Sequence, residues 1–120
     1  MLKKVLVVDD SPAEIRLLQS MLNDAGFHSV AISDPTKTEE AIEAERPSVI
    51  LLDVVMPQRN GFQVCRDLKS QASYAQIPVI LVTSKTAPSD RYWGEQQGAN
   101  AFVAKPFTPE ELLSAVKRFA

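Results

Sequence analysis

The sequence predicts an α/β fold in which a five-stranded parallel sheet lies between two layers of helices. Short apolar runs rich in β-branched residues alternate along the chain with segments whose apolar residues recur at helical spacing. Some of these runs contain no polar residue, as is typical of strands covered on both faces of a parallel sheet. Strands that alternate with helices imply a parallel sheet whose crossover connections are right-handed.

The first strand is the apolar run of residues 5–8, and the first helix follows it. Ser11-Pro12-Ala13-Glu14 has the sequence of a capping box with proline at the first helical position. Apolar residues then recur at helical spacing as far as Ala25, and Gly26 is a residue type favoured just after a helix. A less apolar segment at residues 27–32 is predicted to be an edge strand.

The second helix begins at Asp34-Pro35, or at Thr36, which stands three residues before Glu39. It ends before Pro47, because the residue that precedes a proline disfavours helix. Residues 48–53 form the third strand. Four apolar residues, 49–52, run into a carboxylate, and the proline and glycine that follow end the strand.

The second half of the chain continues the alternation. Asn60-Gly61 opens the third helix, residues 77–83 form the fourth strand, and residues 101–104 form the fifth. A short fourth helix is predicted near residues 89–97, although its apolar face is poor. Thr108-Pro109-Glu110-Glu111 is a further capping box and begins the fifth helix.

For a chain of this size the expected strand order is 2-1-3-4-5, the flavodoxin-like arrangement of a (βα)5 three-layer sandwich. In such sheets ligands bind outside the carboxyl ends of the strands, where the strand order reverses. The polar residues at the carboxyl ends of strands one, three, four and five are therefore expected to converge on one crevice. They are Asp9, Asp10, Asp53, Thr83 and Lys105.

Three carboxylates in one crevice repel one another unless one is protonated or a cation lies between them. Because neither cysteine nor histidine accompanies them, ligation by hard oxygen atoms is expected, and Mg²⁺ fits such a site. An aspartate can also act as a nucleophile that forms an aspartyl phosphate. Asp53 could then attack a phosphoryl group, while Lys105 neutralises one phosphoryl oxygen and the Thr83 hydroxyl bonds another.

Each of these residues also has an ordinary structural interpretation. The aspartates could cap the elements that follow them, Thr83 could be an ordinary strand residue, and Lys105 could be solvated. Their joint placement favours a site for phosphoryl transfer over these interpretations. Because Lys105 stands between an apolar strand and a proline, the Lys105-Pro106 bond is also a candidate for a cis peptide.

The sequence resembles the response-regulator receiver domains of two-component signalling, the CheY-like family, over its whole length. The stretches that carry the resemblance are Val7–Ser11, Asp53–Gly61, Val82–Ser84 and Lys105–Phe107. The resemblance implies that Asp53 is the phosphoacceptor and that a histidine kinase is the phosphodonor. It also implies that the protein is not an ordinary enzyme, since it catalyses phosphorylation and dephosphorylation of its own aspartate.

The resemblance implies a magnesium site as well. Asp10 and Asp53 would be direct Mg²⁺ ligands, and Asp9 would act through a water molecule. The backbone carbonyl of Val55, two residues after the acceptor, would be the third protein ligand. The apolar side chain of Val55 and the basic Lys85 would influence how water reaches the acyl phosphate.

The resemblance assigns the remaining residues to the switch. Thr83 would be the switch hydroxyl, Lys105 the phosphate-binding lysine, and Phe102 the aromatic residue whose ring turns inward when Thr83 is drawn to the phosphoryl group. By analogy, the surface of the fourth helix, fifth strand and fifth helix meets a protein target. Tyr92 and Trp93 lie on the fourth helix, and we expect them to pack against the fifth strand.

Short stretches that include Asp10–Glu14 and Trp93–Ala99 are also similar to stand-alone receivers of type IV pilus systems, which serve twitching motility. We therefore expect residues 1–120 to be a single receiver domain with no output domain, monomeric or weakly dimeric. Such a protein either changes its affinity for a partner or drains phosphate from a kinase that it shares with another receiver.

The composition excludes several classes of protein. The net charge of −2 does not indicate the basic surface that binds nucleic acid. No segment is long enough to cross a membrane. The single cysteine, Cys65, cannot form an internal disulfide, which fits a reducing compartment and a cytoplasmic location. We expect Cys65 to be packed in the third helix and His28 to lie at the surface.

Three other functions remain as alternatives. A Mg²⁺-dependent phosphohydrolase with an aspartyl nucleophile would need a general acid two residues after Asp53, and Val55 cannot serve. A flavin or nucleotide carrier would need amides that cradle phosphate after the first strand, but Asp9-Asp10 repels anions there. An adaptor that works without phosphorylation is disfavoured because the site is complete.

Overall fold

The computed structural model describes residues 3–120, in which five strands alternate with five α-helices. All strands pair in parallel in the order β2-β1-β3-β4-β5, so the predicted flavodoxin-like (βα)5 sandwich is confirmed. The strands are β1 (Lys4–Val8), β2 (His28–Ile32), β3 (Val49–Leu52), β4 (Val79–Thr83) and β5 (Ala101–Ala104). The helices are α1 (Pro12–Asp24), α2 (Thr38–Glu45), α3 (Gly61–Lys69), α4 (Pro88–Gln96) and α5 (Pro109–Phe119).

The sheet separates two apolar clusters, because successive side chains of a strand point to opposite faces. On one face, Leu18 and Leu22 of α1 and Leu112 and Val116 of α5 pack against the sheet. On the other face, the buried residues come chiefly from the sheet, α2 and α3. The strand residues of the first cluster are Val5, Val7, Val49, Leu51, Ile80, Val82 and Val103, and those of the second are Leu6, Val8, Ile50, Leu52, Val79 and Leu81.

Complete capping boxes form at the starts of α3 and α5, and the sequence predicted the one at Thr108. Asn60 caps α3 with Gln63 as its partner, and Thr108 caps α5 with Glu111 as its partner. Asp34 caps a single 3-10 turn, Pro35–Lys37, that leads into α2.

The capping box predicted at the start of α1 forms only in part. The hydroxyl of Ser11 accepts a hydrogen bond from the backbone N–H of Glu14 at 3.3 Å. The backbone N–H of Ser11, however, donates to Oδ1 of Asp9 at 2.9 Å, so the Glu14 side chain does not bond there. The prediction was wrong in this respect because the preceding aspartate satisfies the same donor.

The expectation that Tyr92 and Trp93 pack against the fifth strand is also wrong, since their exposed fractions are 62% and 51%. Gly94 is the residue of α4 that faces the sheet. A Cβ atom at Gly94 would lie 2.9 Å from Cδ1 of Leu81 and 3.7 Å from Cδ2 of Phe102. Because the helix approaches the sheet so closely at this glycine, no room remains there for a large ring.

The one histidine and the one cysteine of the chain lie where the sequence predicted. His28 is exposed at the start of β2. Cys65 is buried in α3, where its thiol donates a hydrogen bond to the carbonyl of Gln97 at 3.4 Å and burial raises its pKa to about 11. Between residues 3 and 120, no helix has both the length and the apolar character that a membrane span requires.

Gly61 marks the point where α3 meets the end of β3. Its N–H donates to the carbonyl of Val54 at 2.9 Å. A Cβ atom at this position would lie 2.8 Å from Cα of Val54 and would also collide with the backbone carbonyl of Asp53. The start of α3 is therefore packed directly against the backbone that carries Asp53.

We predict that Gly61→Ala lowers the free energy of unfolding by about 2–4 kcal/mol, because the backbone around Asp53 must shift to admit the methyl group. Gly26→Ala is the control. Gly26 has a φ of +86° and open space around a Cβ atom, so this change should cost only about 1 kcal/mol. Equal losses of stability in urea-induced unfolding would contradict the close approach at Gly61.

Candidate functional site

The carboxyl ends of β1, β3, β4 and β5 bring the predicted site residues together. Asp9 follows β1, Asp53 follows β3, Thr83 ends β4, and Lys105 follows β5. Backbone hydrogen bonds hold their positions: the N–H of Asp53 donates to the carbonyl of Val8 at 3.0 Å, and the N–H of Lys105 donates to that of Thr83 at 2.9 Å. The site lies beside the β1–β3 pair, where the strand order reverses.

Three carboxylates form the centre of the site. Asp9, Asp10 and Asp53 each offer an oxygen atom, and these atoms all lie within 4.8 Å of one another. Asp9 and Asp53 are only 2% and 8% exposed, whereas Asp10 is exposed to solvent. The cluster therefore opens to solvent on the side of Asp10, and its oxygen donors suit a hard divalent cation.

The ammonium group of Lys105 lies among the carboxylates. Its Nζ is 3.5 Å from Oδ2 of Asp9 and 3.5 Å from Oδ1 of Asp53. Asp53 Oδ1 also accepts a hydrogen bond from the backbone N–H of Val54 at 2.9 Å. The Lys105–Pro106 peptide bond is cis, as the sequence suggested.

Burial changes the proton affinity of the two buried carboxyl groups. Burial raises the pKa of Asp53 from its usual 3.8 to about 6, and the neighbouring Asp9 adds to this shift while Lys105 opposes it. Burial also raises the pKa of Asp9, against the opposing effects of the Ser11 hydrogen bond and Lys105. Burial by itself lowers the pKa of Lys105, but Asp53, Asp9 and Glu14 outweigh it and the net shift is upward. The ammonium therefore stays charged while it faces the carboxylates.

The two predicted switch residues lie on adjacent strands outside the carboxylate cluster. Thr83 is buried, and its hydroxyl accepts a hydrogen bond from the backbone N–H of Lys85 at 3.1 Å. Phe102 is partly buried, and the guanidinium of Arg91 lies 4.7 Å from the centre of its ring. This cation–π contact covers the ring on the side of α4.

The side chain of Val55 lies at the surface, with 54% of the residue exposed. Its side chain lines a groove of about 390 Å³ beside the site. Trp93 and the exposed Lys85 line the same groove. The Trp93 ring, which does not pack against the sheet, therefore lies at this groove.

Sequence reasoning missed Glu14. Its Oε2 atom lies 3.7 Å from Nζ of Lys105. The motif that contains Glu14 was interpreted as a capping box, which gave its side chain another partner. The competing signal was the preceding Asp9, which can bond the same backbone N–H through an Asx turn.

Sequence reasoning also missed the ion pairs of Arg59 in the loop between β3 and α3. Its guanidinium donates to both carboxylate oxygens of Glu39 at 2.8 and 2.7 Å and to Oδ2 of Asp67 at 3.0 Å. It also donates to the carbonyl of Pro35 at 3.1 Å. The hydrogen bond from Arg59 lowers the pKa of Glu39. These contacts tie the loop after Asp53 to α2 and α3.

Comparisons with known proteins give a consistent result. The sequence profile described as "Response regulator receiver domain" matches residues 5–117. PilH of Pseudomonas aeruginosa is 39% identical over 113 residues, which cover 94% of this chain and 93% of PilH. The response regulator MtrA of Mycolicibacterium smegmatis, described as DNA-binding, is 36% identical over 98% of this chain, which spans about half (50%) of its length.

Solved structures show the same fold. The chemotaxis protein CheY4 of Vibrio cholerae has a TM-score of 0.92 and 32% identity, with 100% of both chains covered. The receiver domain of a sensor histidine kinase from Pseudomonas aeruginosa has a TM-score of 0.89 and 27% identity, and covers 99% of this chain and 98% of its own. That structure is described with a magnesium ion coordinated in its active site cleft.

We predict that Asp53→Asn stabilises the protein at neutral pH, by about 2 kcal/mol when divalent cations are chelated. The folded-state pKa of Asp53, about 6, lies above the ordinary 3.8 of an unfolded chain. The folded state therefore binds more protons between these two values, and wild-type stability falls as the pH rises through that window.

The advantage of Asp53→Asn should thus be largest above pH 6 or so and should vanish near pH 4 or so, which urea-induced unfolding at several pH values would measure. Asp24→Asn, which removes a charge at the exposed end of α1, is the control. A gain from Asp53→Asn that does not depend on pH would contradict the assignment of the shift to this carboxyl group.

Proposed function

Because the chain belongs to the family of response regulator receiver domains, we propose that Asp53 accepts a phosphoryl group from a histidine kinase. Members of this family are signalling proteins of two-component systems rather than classical enzymes. The observation that carries the proposal is the convergence of three carboxylate oxygens within 4.8 Å, with the Lys105 ammonium 3.5 Å from two of these carboxylates. Positioning and neutralisation of charge are most of what phosphoryl transfer requires.

Mg²⁺ is the proposed cofactor. Asp9, Asp10 and Asp53 would hold it, together with the backbone carbonyl of Val55, and all four supply the oxygen donors that this ion prefers. When bound, the ion would neutralise part of the negative charge of the carboxylates and of the phosphoryl oxygens. The magnesium ion described in the similar receiver domain of the sensor kinase supports this choice.

In the proposed transfer, a carboxylate oxygen of Asp53 forms a bond to phosphorus. The bond between phosphorus and the ring nitrogen of the donor histidine breaks, and the electron pair stays with that nitrogen. Lys105 provides the positive charge that a phosphoryl oxygen needs, since its Nζ already lies 3.5 Å from Oδ1 of Asp53. The carboxylate must be ionised to attack, so a pKa of about 6 leaves it reactive at neutral pH.

The proposed switch starts at Thr83. Its hydroxyl now accepts a hydrogen bond from the N–H of Lys85 and is free to donate its own proton to a phosphoryl oxygen. Phe102, one strand away, would turn inward, and its contact with Arg91 would break. The surface of α4, β5 and α5 would change as a result and would bind a protein target, by a shift between two populations of conformers.

We propose that residues 1–120 act as a stand-alone receiver of type IV pilus or chemotaxis-like signalling, monomeric or weakly dimeric and in the cytoplasm. The similarity to PilH over 93% of that protein's length supports this assignment. A role as a phosphate sink would use the same chemistry at Asp53. A phosphohydrolase is disfavoured because the exposed side chain two residues after Asp53, Val55, is apolar and cannot donate a proton.

We predict that incubation with Mg²⁺ and acetyl phosphate adds one phosphoryl group to the wild-type protein, and that a chelator prevents this. Asp53→Ala should gain none, because it lacks the nucleophile, whereas Asp24→Ala, at the exposed end of α1, should behave as wild type. Intact mass spectrometry measures each result. Phosphorylation of Asp53→Ala, or none of the wild type with either acetyl phosphate or a histidine kinase, would refute the proposal.

Val55→Asn should accelerate loss of the phosphoryl group several-fold without preventing phosphorylation, because an amide beside Asp53 can orient an attacking water molecule. The decay of the phosphorylated protein, followed by intact mass, measures this effect. Leu17→Asn is the matched control, since Leu17 is also an exposed apolar residue (45%) but lies on α1. An unchanged decay rate in Val55→Asn would exclude a role for this position in the lifetime of the phosphorylated protein.

A further inference from the structure

Glu14 is a charged residue of the site, and it has no role in the proposed reaction. It lies in the first turn of α1, and its side chain is 34% exposed. Its Oε2 atom is nevertheless buried and accepts no hydrogen bond from any described residue. The nearest opposite charge is Nζ of Lys105, at 3.7 Å.

Lys105 is shared among three carboxylates. Its Nζ lies 3.5 Å from Asp9, 3.5 Å from Asp53 and 3.7 Å from Glu14. All three distances exceed those of an ordinary N–H···O hydrogen bond, about 2.7–3.2 Å. The ammonium is therefore held between α1 and the end of β3 and is not committed to a single partner.

The charges at the site do not balance. Three carboxylates, those of Asp9, Glu14 and Asp53, lie within 4 Å of a single ammonium group. A fourth, that of Asp10, is clustered with Asp9 and Asp53. A divalent cation reduces this excess of negative charge, whereas a phosphoryl group on Asp53 adds to it. A fixed carboxylate in a partly buried site must therefore favour the cation and oppose the anion.

We propose that Glu14 is a positioning residue that holds Lys105 away from a full contact with Asp53 and sets the balance between the two ligands of the site. With Glu14 present, the site binds Mg²⁺ more tightly and a phosphoryl group more weakly than it would with a neutral side chain. The proposal rests on the proposed function. It adds that a carboxylate that takes no part in the transfer destabilises the phosphorylated state.

The test is a comparison of two affinities in Glu14→Gln, which keeps the shape of the side chain and removes its charge. Mg²⁺ affinity is measured by calorimetry. The affinity for beryllofluoride, an anionic mimic of a phosphoryl group, is measured by fluorine NMR at saturating Mg²⁺. We expect the dissociation constant for Mg²⁺ to rise and that for beryllofluoride to fall, each by about threefold to tenfold.

These opposite shifts separate an electrostatic role from a structural one, because damage to the site would weaken both ligands. Glu14→Asp retains the charge and should keep both affinities close to those of the wild type. Glu95→Gln removes the same charge from an exposed position on α4 and should change neither.

Shifts of both affinities in the same direction, or no shift in either, would overturn the role of Glu14 while leaving phosphorylation of Asp53 intact. A Glu14→Asp variant that behaves like Glu14→Gln would also overturn it. Failure of the wild type itself to bind either ligand would instead overturn the proposed function, and this inference with it.

Discussion

The ion pairing of Lys105 with Asp9 and Asp53 is the interaction on which the site depends. Two carboxylates that are 2% and 8% exposed would strongly destabilise the fold if nothing compensated their charge. The sheet places them side by side because β1 and β3 are neighbours, and the residue after each strand emerges at the same edge. The lysine that compensates them arrives from the far end of the sheet, after β5. Lys105 therefore allows two buried carboxylates to stand side by side at the edge of the core.

Much of the fold could be predicted because the signals that determine it are local. Runs of apolar residues indicated the strands, and the motifs at Asn60 and Thr108 gave the starts of two helices. The convergence of the site residues followed from the parallel topology alone. The features that could not be predicted arise where two residues compete for one position or one hydrogen-bond donor, or where the partners lie far apart in the sequence. Asp9, and not Glu14, accepts the hydrogen bond from the N–H of Ser11. Gly94, and not Tyr92 or Trp93, faces the sheet. No sequence pattern connects Arg59 to Glu39, which lies twenty residues earlier.

The loop after Asp53 illustrates how such distant contacts serve the site. Arg59, which is only 16% exposed as a side chain, binds both oxygens of Glu39, and Gly61 packs against the backbone of Val54. Gln58, which precedes Arg59, adopts a left-handed conformation with a φ of 70°. Paired charges and close backbone contacts leave this loop little freedom, so the backbone around Asp53 is organised before any ligand arrives.

The exposure of Asp10 has a further consequence for the time course of signalling. Of the three clustered carboxylates, Asp10 is the one that faces solvent, so a metal ion would enter and leave from that side without any opening of the sheet or helices. Its exchange would then be limited by loss of water from the ion and not by motion of the protein. Occupancy would follow the free concentration of the ion in the surrounding solution, and each new encounter with a phosphodonor would meet a site already at equilibrium with it.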